Sequence, residues 1–264
     1  MRIFFFLILY LISNNLLANP SNQNDPLENA VKNQFRKKEN KYRDKYRNPI
    51  ETLTFFGIKR NMKVLEISPG SGWYTEILGN MMKDTGDFYV TKFRKPSNKV
   101  LVNIQNQFDD YFASKEVYFG KLKYLYFNEN NLLDEKEKKF DLILTFRNTH
   151  NWLDSDTAEN VYKSIYNLME DNGILGVVQH RANESANYNY KKGYVKESFL
   201  IGLIEAQGFE LIEKSEINAN PQDLKNYEKG VWTLPPRFAE GEKNKLYYRS
   251  IGESDRMTLK FKKK

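Results

Sequence analysis

The stretch VLEISPGSGWYTEIL, from Val64 to Leu78, joins an apolar run to a helix pattern through a proline and two glycines. The apolar run contains one acid, Glu66, and the helix pattern opens with Trp73 and Tyr74. Glycine adopts backbone conformations that other residues rarely reach, and it lets a ligand come close to the main chain. The stretch therefore predicts a strand, a sharp turn and a helix whose N-terminus faces a bound molecule.

Short apolar runs alternate with amphipathic stretches along most of the chain, which is the pattern of a parallel sheet covered by helices. This predicts an α/β fold with a seven-stranded, mostly parallel sheet, helices on both faces and an N-terminal helical extension. DLILTF at 141–146 is typical of a strand buried on both faces, whereas the alternating MTLKF at 257–261 suits a strand nearer an edge. The predicted strands are 63–67, 87–91, 122–127, 140–146, 174–179, 209–217 and 257–261, and the predicted helices are 75–82, 100–113, 156–169 and 195–207.

The first 18 residues, MRIFFFLILYLISNNLLA, have the layout of a secretory signal peptide, with Arg2, an apolar run from Ile3 to Ile12 and a small residue at Ala18. A membrane anchor is the alternative, but this apolar run is too short to cross a bilayer core. We therefore predict cleavage after Ala18, a periplasmic or secreted location, and no stable membrane insertion after cleavage. The predicted mature chain has an N-terminal helical segment at 19–60 and a domain at 61–264 with a long insertion at 218–256.

Composition excludes several classes of site. The 264 residues include no cysteine and only two histidines, so a disulfide framework, a thiolate metal site and a cysteine nucleophile are excluded, and no metal centre is expected. The formal net charge is +7, and KNQFRKKENKYRDKYR at 32–47 carries eight basic residues against two acidic ones. A solvated basic helix accounts for this run without a partner, so we predict no nucleic-acid function.

The glycine turn matches a dinucleotide-binding fingerprint poorly. That fingerprint places a third small residue where Thr75 stands and an acid at the end of the second strand, where this chain has Thr91 and Lys92. Glu66 lies inside the first strand, where it could accept hydrogen bonds from a cationic or amino-bearing ligand. An oxidoreductase that uses a dinucleotide is therefore the weaker interpretation.

The stretch resembles the first motif of class I S-adenosylmethionine-dependent methyltransferases, an apolar strand and an acid followed by Gly-x-Gly-x-Gly. More of the chain is similar to a family of exported predicted methyltransferases whose substrate is not established. The resemblance implies a Rossmann-like class I methyltransferase fold, S-adenosyl-L-methionine as the cofactor, and an unknown small-molecule methyl acceptor. The stretches that carry it are RDKYRNPIETLTFFG (43–57), SPGSGWYTEIL (68–78), TFRNTHNW (145–152), SEINANP (215–221), GVWTLPP (230–236) and IGESDRMTL (251–259).

The resemblance also implies which residues hold the cofactor. Ser68 replaces the first glycine of the general motif, and no acid ends the second strand, which leaves recognition of the ribose without its usual residue. The acid or amide that follows the third strand is Asn128, Glu129 or Asn130, and we take Glu129. The predicted cofactor-binding residues are Glu66, Pro69, Gly70, Ser71, Gly72, Trp73, Tyr74, Glu129 and Thr145.

Polar stretches follow the fourth, fifth and sixth predicted strands, and all of them would lie at the carboxyl edge of the sheet with the glycine turn. Arg147, Asn148 and His150 are the predicted catalytic residues, with His150 as a general base that takes a proton from the acceptor. Alternatively, Arg147 is a satisfied ion-pair partner and His150 caps the helix predicted to begin at Asp156. The function that this predicts is methyl transfer outside the cytoplasm; a small-molecule-binding protein that keeps the fold without catalysis is the alternative.

Overall fold

The computed structural model describes residues 25–85, 87–128, 133, 139–187 and 189–264. The predicted leader, Met1 to Ala18, and the predicted cofactor ligand Glu129 lie outside the described residues.

A single seven-stranded sheet forms the centre of the fold, in the order β3-β2-β1-β4-β5-β7-β6. Strands β1 to β5 are parallel, and β7 runs antiparallel between β5 and the edge strand β6. This confirms the predicted α/β fold with a mostly parallel sheet. The strands are β1 (Val64–Ile67), β2 (Phe88–Phe93), β3 (Lys123–Phe127), β4 (Phe140–Phe146), β5 (Met169–His180), β6 (Phe209–Ser215) and β7 (Arg256–Lys263).

Helices cover both faces of the sheet, because alternate residues of the buried strands point to opposite sides. Leu65 and Ile67 of β1 pack in one hydrophobic cluster, whereas Val64 packs in the other. The helices are α1 (Pro26–Lys32), α2 (Lys38–Tyr42), α3 (Asp44–Arg47), α4 (Pro49–Phe56), α5 (Trp73–Met82), α6 (Lys99–Ser114), α7 (Glu116–Phe119), α8 (Thr149–Asp154), α9 (Ala158–Leu168), α10 (Glu197–Glu205) and α11 (Lys245–Ile251).

The four helices before β1 are packed onto the domain. Leu27 and Val31 of α1 belong to the same buried cluster as Ile77 of α5. Glu76 of α5 connects the N-terminal segment to the domain. Its carboxylate accepts hydrogen bonds from the Asn40 amide at 3.0 Å and the Tyr111 hydroxyl at 2.6 Å. The N-terminal segment therefore becomes one wall of the region beside the glycine turn.

Several element boundaries differ from the prediction. Strand β5 begins at Met169, where the apolar pattern predicted the end of a helix, and β2 continues to Phe93. Residues 149–154 form α8 where a loop was expected, and the insertion at 218–256 contains α11 and a 3-10 turn at Gly230–Thr233. Elements of one or two turns are too short to show a helical period. Within the described part of the chain, no helix has the length and apolar character needed to span a membrane.

Candidate active site

The glycine turn between β1 and α5 has two glycines with different roles. Both have positive φ, +60° at Gly70 and +83° at Gly72. A Cβ added to Gly72 would lie 2.5 Å from the ring of Phe112, so this glycine allows α6 to pack closely. A Cβ added to Gly70 would meet no atom within 4 Å. Gly70 and the neighbouring Ser71 are exposed, and Pro69 is half-buried. The open side of the turn at Gly70 is therefore where a ligand can approach the main chain.

Glu66 lies beneath this turn and is 2% exposed. Its carboxyl accepts a hydrogen bond from the Thr75 hydroxyl at 2.7 Å, and no cation among the described residues pairs with it. Burial raises the pKa of Glu66 to about 8, so the group is mostly protonated at neutral pH. Its side chain is enclosed by protein, whereas the sequence predicted that it accepts hydrogen bonds from a cationic or amino-bearing ligand.

The end of β2 is occupied by structural contacts. The Thr91 hydroxyl accepts a hydrogen bond from the Ser68 amide at 2.7 Å, which holds the start of the glycine turn against β2. Lys92 forms an ion pair with Asp109 of α6. The segment 91–98 contains no acid, so the position that usually recognises a ribose has no carboxylate in this chain.

The two aromatic residues that open α5 face the interior. The Trp73 indole donates a hydrogen bond to the Asn40 carbonyl at 2.8 Å, and the Tyr74 ring stacks on Phe146 with centroids 3.5 Å apart. Both are almost fully buried, at 3% and 4% exposure. They fasten the N-terminal segment to α5, and neither presents a free face beside Gly70.

Asn148 holds the glycine turn in place. Its amide nitrogen lies 3.0 Å from the carbonyl of Ile67, 3.2 Å from the carbonyl of Ser68 and 3.1 Å from the Thr145 hydroxyl. These bonds connect the carboxyl end of β4 to the carboxyl end of β1. Asn148 and Thr145 thus position the turn, and the Asn148 amide nitrogen is engaged with protein.

His150 is buried in α8, at 2% exposure, and its hydrogen bonds identify its tautomer. The Gln179 side-chain nitrogen donates to the carbonyl of Gly193 at 2.9 Å and lies 3.2 Å from His150 Nδ1. A carbonyl only accepts, so the atom in contact with both groups is the amide nitrogen, and Nδ1 is the acceptor. The ring proton of neutral His150 is therefore on Nε2, which is buried and has no hydrogen-bond partner.

This tautomer bears on the expected role of His150 as a base. Burial lowers the pKa of His150 to about 4, with a further lowering from the charge of Arg147, so the ring is neutral at physiological pH. A neutral ring with its proton on Nε2 donates a hydrogen bond at that atom. The geometry favours a donor to a bound group over a proton acceptor. The His180 and Trp232 rings, each with its centroid 5.6 Å from that of His150, complete its surroundings.

Arg147 follows β4 with a φ of +64°, a conformation that costs free energy for a residue with a side chain. Its backbone amide donates to the Val178 carbonyl at 2.7 Å, but its guanidinium makes no hydrogen bond or ion pair with the described residues. Burial, followed by the charge of Arg47, lowers the pKa of Arg147 well below its ordinary value. The structure therefore does not place Arg147 in the satisfied ion pair that was the alternative interpretation.

Sequence reasoning missed a group of residues beside Arg147. Arg43 and Arg47 belong to the basic run interpreted as a solvated helix, yet both side chains point inward to Glu253 of the insertion. Their spacing of four residues places them on one helical face, which was the available signal. Arg256 also reaches Glu253, at 3.3 Å.

The strand order, the antiparallel β7 and the glycine turn at the carboxyl edge together define a Rossmann-like fold of the class I methyltransferase type. Solved structures share this fold at low identity. A SAM-dependent methyltransferase from Aquifex aeolicus is 16% identical, with a TM-score of 0.54, and the match covers 74% of this chain and 94% of that chain. An S-adenosylmethionine-dependent methyltransferase from Clostridium acetobutylicum is 13% identical, with a TM-score of 0.50 and coverage of 84% and 96%.

The glycopeptide N-methyltransferase MtfA, solved in complex with S-adenosyl-L-homocysteine, is 13% identical to this chain. Its TM-score is 0.53, and the match covers 84% of this chain and 91% of that chain. No family model and no curated protein matches the sequence. At these identities the comparisons establish the fold, and the activity has to be argued from the site.

Proposed function

We propose that this protein is an S-adenosylmethionine-dependent methyltransferase that acts on a small-molecule acceptor outside the cytoplasm. The observation that carries the proposal is the open space at Gly70, where the main chain of the turn is accessible beside the N-terminus of α5. This is the place where folds of this type approach their ligand. The similar structures, all named as methyltransferases, support the same reading.

S-adenosylmethionine, when bound, supplies a methyl group on a positively charged sulfur. Gly70 leaves the main chain accessible to the cofactor, and Asn148 holds the turn in the required position. Holding the acceptor in line with the methyl group is the main task of the protein in such a reaction. Nε2 of His150 is a buried donor that can orient the acceptor, and the acceptor's proton leaves to solvent or to a group of the acceptor itself.

Gly70→Val tests the cofactor site, because it places branched carbon where the ligand is expected to approach. Gly241→Val is the matched control: Gly241 has a φ of +66°, and a Cβ there also meets no atom within 4 Å. Both variants carry the same backbone strain, roughly 1–2 kcal/mol. We expect calorimetry to show that Gly70→Val weakens binding of S-adenosylhomocysteine at least about tenfold, or 1.4 kcal/mol. Gly241→Val should bind as the unaltered protein does.

Equal affinity in the two variants would remove Gly70 from the cofactor site. If the unaltered protein binds neither S-adenosylmethionine nor S-adenosylhomocysteine, the proposed function fails. Titration with NAD in the same experiment tests the dinucleotide interpretation.

An exported binding protein that has kept this fold is the second candidate. One observation favours it: Thr91 and Lys92 are engaged with Ser68 and Asp109, so no carboxylate remains at the end of β2 for a ribose. Such a protein would bind a small molecule at the glycine turn and would not transfer a methyl group from S-adenosylmethionine. Incubation with a radiolabelled methyl donor and a mixture of small acceptors separates the two candidates by whether label leaves the donor.

Export of the protein is part of the proposal and rests on the sequence of residues 1–18. We expect mass spectrometry of protein from its native host to give an N-terminus at Asn19. An intact Met1 in a soluble cytoplasmic fraction would overturn the extracellular location while leaving the proposed chemistry unaffected.

A further inference from the structure

Three arginines contact a single carboxylate, Glu253, and a fourth arginine is near enough for their charges to act on it. Glu253 lies 2.5 Å from Nε of Arg43 and 3.3 Å from both Nε of Arg47 and a terminal nitrogen of Arg256. Arg147 is the fourth member, and its electrostatic neighbours are the same arginines and Glu253. We call these four arginines the arginine cluster. Four guanidinium groups against one carboxylate leave an excess of three positive charges.

The unsatisfied atoms at this place are hydrogen-bond donors. Both terminal nitrogens of Arg47 are buried without a hydrogen-bond partner, although the side chain is only 1% exposed. Nε2 of His150 is buried and unpartnered in the same way. The Arg147 guanidinium has no partner among the described residues. Three side chains from α3, the β4 end and α8 therefore present donors that no acceptor in the described part of the chain uses.

Such an arrangement is unfavourable in the ligand-free protein. Removing a charge from water costs several kcal/mol per ion unless an opposite charge or hydrogen bonds compensate for it. The like charges also repel one another: after burial, the charge of Arg47 lowers the pKa of Arg147, and those of Arg43 and Arg256 lower it further. Arg256 differs from Arg147 and Arg47, since it donates to the Tyr46 carbonyl at 2.9 Å and the Ser254 carbonyl at 3.1 Å.

The unsatisfied members lie beside the proposed methyl-transfer site. Arg147 directly precedes Asn148, whose amide nitrogen contacts the carbonyls of Ile67 and Ser68 at the start of the glycine turn. The Arg47 guanidinium lies 4.7 Å from the ring centroid of Trp73, the residue before Tyr74. The donors are thus held against the helix that begins at the glycine turn.

We propose that the arginine cluster, with His150, binds an anionic oxygen group of the methyl acceptor, a carboxylate or a phosphate. This inference rests on the proposed function. An oxyanion accepts several hydrogen bonds at once, and planar guanidinium groups bind carboxylates and phosphates in pairs of parallel bonds. The acceptor class is therefore small acidic molecules, with the acidic group anchored by Arg47 and Arg147.

The cofactor contains the same chemistry, because S-adenosylmethionine carries a carboxylate on its amino-acid part. If the cluster binds the acceptor, substitutions in the cluster should weaken binding of an acceptor-like anion. If it binds the cofactor carboxylate, they should weaken binding of S-adenosylhomocysteine. Arg147→Gln is the informative variant, because its guanidinium makes no hydrogen bond or ion pair with the described residues that the substitution would break. Arg147→Lys keeps the charge and removes the planar fork. Arg60→Gln, at an exposed pair with Asp84, removes one positive charge elsewhere and is the matched control.

The experiment is calorimetric titration with benzoate, benzamide and inorganic phosphate in the presence of saturating S-adenosylhomocysteine. We expect benzoate or phosphate to bind the unaltered protein and the neutral benzamide not to bind. Arg147→Gln should weaken the anion at least about tenfold, Arg147→Lys should weaken it less, and Arg60→Gln should leave it within twofold. The affinity for S-adenosylhomocysteine should stay within twofold in all three variants.

Loss of S-adenosylhomocysteine affinity in Arg147→Gln, with unchanged affinity for 5′-methylthioadenosine, would assign the cluster to the cofactor carboxylate and overturn the proposal. Absence of anion binding by the unaltered protein would overturn it too. The same titrations without S-adenosylhomocysteine separate this inference from the proposed function. If the anion binds through Arg147 but S-adenosylhomocysteine does not bind at all, the cluster is an anion site and its assignment to a methyl acceptor is overturned.

Discussion

Two arginine sites at the carboxyl edge of the sheet have opposite charge balances. Arg181, just after β5, is surrounded by three carboxylates: Asp255 at 3.0 Å, Glu216 at 2.6 Å and Glu197 at 3.3 Å. Around Glu253 the numbers are reversed, with several arginines for one carboxylate. Hydrogen bonds, first with Glu216, raise the pKa of Arg181, whereas burial lowers the pKa of Arg147.

We interpret the difference as that between a structural site, at Arg181, and the proposed anion-binding site, at the arginine cluster. The donors of Arg181 are used by protein groups, which connect β5, α10 and the insertion. The terminal nitrogens of Arg47 are buried, and neither they nor the half-buried Arg147 guanidinium have a hydrogen-bond partner among the described residues, which no purely structural requirement explains. Satisfied buried charge holds a fold together, and unsatisfied buried charge is retained where a ligand completes it.

Among the tests of this distinction, substitution of Glu66 should have the largest effect on stability. Glu66 is a buried ionisable group that has no cationic partner among the described residues. Its pKa in the folded protein is about 8, against an ordinary value of 4.5. The unfolded chain releases the proton first, so the stability of the protein falls as pH rises from 4.5 to 8. Glu66→Gln keeps an acceptor for Thr75 and should stabilise the protein at pH 9 by up to about 4 kcal/mol, with little change at pH 4.5.

Urea unfolding of Glu66→Gln at pH 4.5, 7 and 9 measures this effect. The exposed Glu51 of α4 offers the control Glu51→Gln, which makes the same chemical change at the surface. A constant difference for Glu66→Gln across the range would mean that Glu66 is ionised in the folded protein.

Arg181→Gln tests the site at which the arginine is paired with protein carboxylates. Asp255 is buried, at 5% side-chain exposure, and among the described residues it would retain only Lys225 as a cationic partner. We expect a loss of about 3 kcal/mol in the free energy of unfolding at pH 7, because a buried carboxylate is left partly uncompensated. Arg147→Gln removes a guanidinium that has no hydrogen-bond or ion-pair partner in the described ranges, and it should leave stability unchanged or slightly raised. The two variants compared by urea unfolding in phosphate-free buffer decide the point; equal losses would contradict the distinction.

His150 provides the third and smallest test. Its folded-state pKa of about 4 lies below the ordinary value of 6.5, with Arg147 lowering it and Asp154 raising it after burial. The stabilisation is complete above pH 6.5 and is lost as pH falls toward 4, since the unfolded chain takes up the proton first. His150→Gln should therefore reduce the loss of stability between pH 7 and pH 5 by about 2 kcal/mol.

Proton NMR gives a direct check, because the chain contains only two histidines. The imidazole signal that disappears in His150→Gln should not titrate between pH 8 and pH 5 in the unaltered folded protein. A signal that titrates near pH 6.5 would show that His150 is accessible to protons and would revive its assignment as a general base.

Local patterns predicted the sheet well. The glycine turn, the apolar run of β4 and the alternation in β7 each depend on residues close together in the chain, and each lies where the pattern placed it. The pattern failed at short elements such as α8, and it misassigned the start of β5 because an apolar helix end and a buried strand start look alike.

The candidate site was predicted less completely, since placing residues at one edge of the sheet does not say what their side chains contact. Asn148 was expected beside an acceptor, yet its amide is used to hold the glycine turn. Trp73 was expected beside the cofactor and instead faces Asn40. Nothing in the sequence distinguished Gly72 from Gly70, but in the structure the ring of Phe112 packs against Gly72.

The sequence by itself determined the order of elements, the position of the glycine turn and the convergence of polar stretches at one edge, because turn chemistry and hydrophobic period act over a few residues. The tertiary structure decided the charge balance of the site. Arg47 and Glu253 are separated by 206 positions and Arg43 and Glu253 by 210. Whether a buried donor finds an acceptor depends on such distant contacts, and only packing brings them together.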